Sequence, residues 1–344
     1  MDNLAHTSLT RRSLLVTTGG ALLATQLRSF AAPGAQAQGA YSLASGYQSL
    51  AGNDTATAVG ALSGATGYGS SAFGSNAQAT NDYALALGSN STSSAIGGIA
   101  LGTDAYVADG ADHGIAIGSL TTAYGKNTIA MGGMWTTAGA DGAIAIGGTK
   151  ACTDFTCIEQ NTAAWGINST ALGVGAQAQA DAATALGSGA GSFGIGSVSI
   201  GADSQAWTDD SIALGARAYA MGMNSVAIGA DSATSRDNVV TIGSELTGVN
   251  RQLTGLAGGV EDNDAVNVLQ LRSLVDWFGG GAGFTGGVFS APSFTIQGTD
   301  YSNVADAFAA VDGKLTELAG NSGTPGPEGP QGPQGPQGPQ GPQG

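Results

Sequence analysis

Glycine returns every fourteen residues along much of this chain, and that period restricts the fold more than any other feature of the sequence. Gly46, Gly60, Gly74, Gly88 and Gly102 form one array, and Gly173, Gly187, Gly201, Gly215, Gly229 and Gly243 form another. Each glycine closes an apolar-small-apolar phrase, as in Ala84-Leu-Ala-Leu-Gly88, Gly98-Ile-Ala-Leu-Gly102, Ser197-Val-Ser-Ile-Gly201, Ser211-Ile-Ala-Leu-Gly215 and Ser225-Val-Ala-Ile-Gly229. Gly118, Gly132 and Gly147 carry the count between the arrays at spacings of 16, 14 and 15, followed by 26 to Gly173. The longer steps read as loop insertions, the largest over 148–172. A fixed period of this kind is the signature of a repeat architecture.

Within a phrase, large apolar residues alternate with small ones, as at Ile212 and Leu214 or Val226 and Ile228. Period two is the pattern of a strand. Further glycines at Gly67, Gly125, Gly139, Gly194 and Gly222 suggest a half-turn of seven residues, a short strand and then a glycine corner. Two strands per fourteen residues make a flat parallel solenoid, and thirteen intervals from Gly46 to Gly243 give a rod about 60 Å long at the inter-strand spacing. So thin a coil leaves an apolar face and sheet edges uncovered, which calls for a partner.

Composition agrees. Charged residues are 10% of the chain and glycines number 59, too little bulk for a thick globular core. The formal charge of −15 excludes a basic nucleic-acid footprint. Residues 1–37 have the layout of an export signal: Arg11-Arg12, an apolar stretch through Leu23, and a small-residue site at Ala35-Gln36-Ala37. The paired arginines fit either a twin-arginine signal or an ordinary secretory one. No later apolar run reaches the roughly 18–20 residues that span a membrane as a helix.

Beyond the solenoid of residues 38–243, the pattern changes. In 244–278, Val268, Leu271, Val275 and Phe278 follow coiled-coil spacing. In 279–320, Val304, Phe308, Val311, Leu315 and Leu318 follow it again, an amphipathic helix on a globular neighbour being the alternative for either segment. Residues 321–344 end in Gly-Pro-Gln triplets, and glycine at every third place is what the axis of a collagen triple helix demands. A proline-rich linker needs no such register. Three chains are implied by that segment alone.

This order resembles the YadA-like trimeric autotransporter adhesins. Ser211-Ile-Ala-Leu-Gly215 and Ser225-Val-Ala-Ile-Gly229 are similar to that family's head repeats. Arg251-Gln-Leu-Thr-Gly-Leu-Ala-Gly-Gly259 and Asp264-Ala-Val-Asn-Val-Leu-Gln-Leu271 are similar to its neck, and Phe278 to Leu318, with Pro292-Ser-Phe-Thr-Ile-Gln-Gly298, to a stalk module. The resemblance implies an all-β, left-handed parallel β-roll head in an intertwined homotrimer, carried on a short trimeric coiled-coil stalk and a collagen-like triple helix. It implies surface display, the head binding extracellular matrix, other cells or abiotic surfaces, the location being the cell surface or the extracellular space, with attachment to the outer membrane if a translocator domain exists beyond this chain.

Few residues offer chemistry. Cys152 and Cys157 lie in the largest insertion, where a loop-stapling disulfide is expected and free thiols or inter-subunit bonds are the alternatives. His113 reads as a solvated loop residue, or as one third of an ion site on a trimer axis. Asp109, Asp112 and Asp141 read as turn residues. Trp135, Trp165 and Trp207 read as exposed anchors or as caps on coil edges. No catalytic residue, cofactor site or metal site is expected. A glycan-cleaving solenoid needs paired acidic groups on one face, where these repeats have alanine, serine and asparagine. The resemblance in head, neck and stalk order, behind an export signal, implies an adhesin, with a structural spacer or tail-fibre-like trimer as the alternative.

Overall fold

The computed structural model describes residues 32–150, 160–244, 247–321, 328–338 and 341. The chain divides into two units, one ending at Arg251 and the other beginning at Gln252.

In the first unit each turn gives one two-residue strand and one longer strand. The short series, Gln36–Ala37 to Ala233–Thr234, forms a fourteen-stranded parallel sheet, and the long series, Leu43–Ser45 to Val240–Thr241, forms a second. Residues pair with their counterparts one turn on, Leu43 with Thr57 and Ala213 with Ala227. Insertions leave the register intact: Ile99 meets Ile115, Thr122 meets Thr137 and Ile144 meets Thr170. The first rung includes Gln36 and Ala37, so cleavage at the expected signal boundary falls inside it.

The space between the sheets holds little more than methyl groups and hydroxyls. The middle residue of each long strand and the second of each short one point inward, as at Ala58, Ala72 and Ala86 and at Ala51, Ala65 and Ala79, all fully buried. At the corners, buried Ser42, Ser70, Thr128, Ser169 and Ser197 each donate to the carbonyl three residues back, at 2.7–2.8 Å. This satisfies a hydroxyl that would otherwise be costly to bury. Val107 is the one larger apolar side chain fully buried there among the described residues, and the Leu, Ile and Val of the long strands face outward.

The true repeat is two turns, not one. After the short strands, corners beginning with Gly39, Gly67, Gly166, Gly194 and Gly222 alternate with corners carrying Asp54, Asp82, Asp181, Asp209 and Asp237 in second place. Each aspartate accepts the second N–H of the preceding glycine corner: Asp54 from Ala40 at 2.7 Å, and Asp82, Asp181, Asp209 and Asp237 from Tyr68, Ile167, Ile195 and Met223 at 2.8 Å. That reach brings the aspartate corner so close that a Cβ on Gly194 would overlap the Thr208 carbonyl. Where alanine replaces the glycine, at Ala95, the bond from Ile96 to Asp112 lengthens to 3.3 Å. The expected glycine at the half-turn is thus corrected: it stands at the short-strand corners of alternate turns, while the corners after the long strands carry glycine throughout the two arrays. Gly139 is not a corner glycine but follows the strand Thr137–Ala138, beneath the Trp165 ring.

The largest insertion begins with a hairpin stem. Thr149–Lys150 and Gln160–Asn161 pair antiparallel, and regular strands resume at Ala163–Ala164 and Thr170–Leu172. At the C-terminal end of the rod the Arg251 guanidinium donates to Ser232 Oγ at 2.8 Å, to the Ile242 carbonyl at 3.0 Å and to the Ala230 carbonyl. It thereby satisfies groups that the next turn would otherwise meet.

The second unit is nearly coreless. The Asp264 carboxylate accepts from the Val260 and Glu261 N–H groups, which hold it below the ordinary carboxylate range. A capping box between Asn267 and Gln270 starts helix α1, Val268–Phe278. Two hairpins follow, Gly283–Thr285 with Val288–Ser290 and Phe294–Ile296 with Thr299–Tyr301. Their two-residue loops, Gly286-Gly287 and Gln297-Gly298, have positive φ at both positions, the conformation that matches strand twist. Asn303 then caps α2, Val304–Gly320. α1 lies beside the first hairpin and α2 beside the second. Val275 and Ala307 are buried, whereas Leu269, Phe308, Leu315 and Leu318 are exposed. Residues 328–338 form neither helix nor strand, and their side chains are exposed.

Candidate functional site

The rod has two unlike faces, and the contrast follows from strand length. A three-residue strand with its middle residue inward turns two side chains outward. In the long-strand sheet these are Leu85 and Leu87, Ile99 and Leu101, Ile115 and Ile117, Ile212 and Leu214. They make an apolar ladder, interrupted in its first column by Thr57, Ser71, Thr170 and Thr184, that is partly buried by its own neighbours and still open to solvent. A face of this extent exceeds the scattered apolar exposure of an ordinary monomer.

The short-strand sheet turns outward a polar row with aromatic interruptions. Gln36 and Gln38 bond each other at 2.9 Å, and Gln177 and Gln179 do so at 2.7 Å. Among them Tyr106 meets Tyr124 edge-on at 6.2 Å, and Tyr124 stacks with Trp165 at 6.4 Å across the gap that Gly139 leaves. Phe193 stacks on Trp207 at 4.5 Å. The tryptophans read from the sequence as anchors or caps therefore differ: Trp165 and Trp207 join the aromatic row, half exposed, while Trp135 occupies a left-handed corner with φ 63°.

The titratable residues are spread out. Asp112 and Asp141 accept the corner N–H groups of Ile96 and Lys126, at 3.3 and 2.8 Å, and Asp109 is exposed in the two-residue insertion beside Gly110. His113 stands exposed at a left-handed corner, its ring over Gly97. Arg217 pairs with Asp231 through both nitrogens at 2.6 and 2.9 Å, which raises the guanidinium pKa and lowers that of the carboxylate. Among the described residues no three His, Cys, Asp or Glu side chains gather as metal ligands, and no helix is long and apolar enough to cross a membrane. Cys152 and Cys157 lie outside the described residues.

The model of the YadA head domain repeat, which holds two copies of the repeat, matches residues 37–63, 65–91, 79–105, 110–133, 166–190, 194–218 and 220–245. These residues are similar to the YadA head repeat. The two-copy unit corresponds to the two-turn alternation of glycine and aspartate corners. A curated relative, the trimeric autotransporter adhesin AtaA of Acinetobacter sp. (strain Tol 5), is 34% identical over 88 residues, 22% of this chain and 2% of that protein. This chain thus spans a very small part of that relative's length. Among solved structures, the collagen-binding domain of the Yersinia adhesin YadA is 30% identical, covering 56% of this chain and 83% of that domain with a TM-score of 0.35.

Sequence reasoning found the fourteen-residue period of the YadA head repeats and missed its doubling. The signal was present in the 28-residue spacing of Asp54 and Asp82 and of Asp181, Asp209 and Asp237. The aromatic row was missed because its members come from separate turns. Tyr124 and Trp165 become neighbours only once Gly139 is placed between them.

Proposed function

We propose that this chain is the head and upper stalk of a homotrimeric adhesin displayed at a bacterial surface, its β-roll left-handed and its targets matrix, cells or abiotic surfaces. The apolar ladder of the long-strand sheet is the observation that carries this reading. Three copies that turn this face inward bury the Leu, Ile and Val rows and leave the Gln, Thr and aromatic face outward. In the second unit, Phe308, Leu315 and Leu318 lie on one stripe of α2 and are exposed in a single chain, as the seam of a three-stranded coil would be. The Gly-Pro-Gln triplets fit a triple helix that continues the same symmetry.

The other parts of the reading are supported by sequence. Residues 1–37 would direct export, and Cys152 and Cys157 would staple the insertion. No catalytic role is proposed. The test is light scattering on residues 38–344, with the same sample then passed over matrix proteins and cells. A trimer that binds supports the adhesin, a trimer that binds nothing supports a spacer, and a monomer overturns both.

A further inference from the structure

The stem of the largest insertion does not stand away from the rod. Thr149 Oγ1 donates to the Met134 carbonyl at 2.7 Å, which holds one side of the stem to the turn before it. Thr162, fully buried, fixes the base: its hydroxyl lies 2.8 and 2.7 Å from the Gly148 and Gly173 carbonyls and accepts from the Gly148 and Gly175 N–H groups at 2.9 and 3.1 Å. Lys150 then runs toward the turns that follow, over Gly175 and Gly189, and its ammonium pairs with Asp203.

A second, independent observation lies in the column of corners beneath. The left-handed residues following the long strands are Gln48, Leu62, Asn76, Asn90, Asp104, Leu120 and Trp135, then Gly175 and Gly189, then Asp203, Arg217 and Asp231. After the first turn, where Gly34 takes this place, the column has glycine only at the two turns that the stem crosses. A Cβ at Gly175 would sit 2.7 Å from Lys150 Cβ, and one at Gly189 would sit 2.6 Å from its Nζ. The side chains that project from this column elsewhere are missing where the stem needs the space, and Asp203 ends the gap with the opposite charge.

We propose that the stem is a strap, docked in the track of Gly175 and Gly189 and locked by Lys150 on Asp203, so that its two strands are held in a fixed bearing on the rod. This does not depend on the adhesin reading. The lysine side chain is 29% exposed and the aspartate 51%, so the lock weakens with ionic strength while the alanine core beneath it does not.

Hydrogen exchange of the full chain tests it, read at the stem peptide around Thr149, Lys150, Gln160 and Asn161 and at the flanking rungs. The wild-type stem exchanges slowly at low salt, and in 1 M salt or in Lys150→Ala it exchanges about two- to fivefold faster with the rungs unchanged. The two changes together do no more than either alone. Gly189→Asn keeps a residue that tolerates the left-handed backbone, places a side chain in the track, and should release the stem similarly. A stem that exchanges freely in the wild type, or one indifferent to Lys150→Ala, Gly189→Asn and salt, overturns the proposal.

Discussion

Thr55 is poorly suited to its backbone. Its φ is 57°, in the left-handed region that β-branched side chains avoid, at a corner place where Asn127, Asn168, Asn224 and Asn238 stand in other turns. Replacement by asparagine removes a steric cost of about 1 kcal/mol, so Thr55→Asn should raise the melting temperature by a few degrees. The opposite case is Gly194. Because the Thr208 carbonyl presses against it so that Asp209 can reach the Ile195 N–H, Gly194→Ala should destabilise by about 3 kcal/mol. Urea unfolding of both variants checks the pair, and an unchanged Gly194→Ala would mean that the corners are looser than the bond at 2.8 Å indicates. The sequence showed that these corners need glycine but not why. The reason is a carbonyl one turn away, outside any local pattern.

Among elements, the ends of the solenoid are harder to read from sequence than its middle. Repetition identifies the rungs from their phrases, but the groups that close the last rung belong to a segment with no period. Arg251 stands in a neck-like phrase, and its role as a clamp on Ser232, Ile242 and Ala230 follows only from the folded chain. Arg251→Ala should remove a donor from each of those acceptors and speed exchange at Val240–Thr241 by roughly tenfold, with earlier rungs unaffected. In the second unit, the hairpin at Gly286-Gly287 is legible from its paired glycines, although likeness to a stalk module alone does not reveal it. The loop held by Asp264 has a pH signature. Its folded pKa lies below the ordinary aspartate value, so its contribution is fully present above that value and is lost as the pH falls through the lower folded pKa. The amide shifts of Val260 and Glu261 should therefore hold from neutral pH to about pH 4 and move only below the ordinary aspartate range, and Asp264→Asn should remove the transition. Movement centred near pH 5 would place another group at the loop.

At the scale of the molecule, sequence and structure agree on one thing for a physical reason: a period of two turned into a period of fourteen decides which side chains are inside. Alanine and serine fit between the sheets, so the larger residues that would form the core of a globular protein lie outside. The sequence showed that a face was left bare, and the structure shows that it is the long-strand face. This separation permits a sharp test of the trimer. Ile212 lies on the outward ladder and touches nothing that the alanine column needs, so Ile212→Arg should leave each chain folded while placing an unpaired charge between copies at a cost of several kcal/mol. Gln205→Arg, on the opposite face, serves as the control. If the long-strand faces meet, light scattering finds the first variant reduced in mass and the second still trimeric, both with the circular dichroism of the parent. Loss of mass in Gln205→Arg alone would turn the rod around and put the Gln and aromatic row at the centre of the trimer, leaving the apolar ladder as the surface that meets the target.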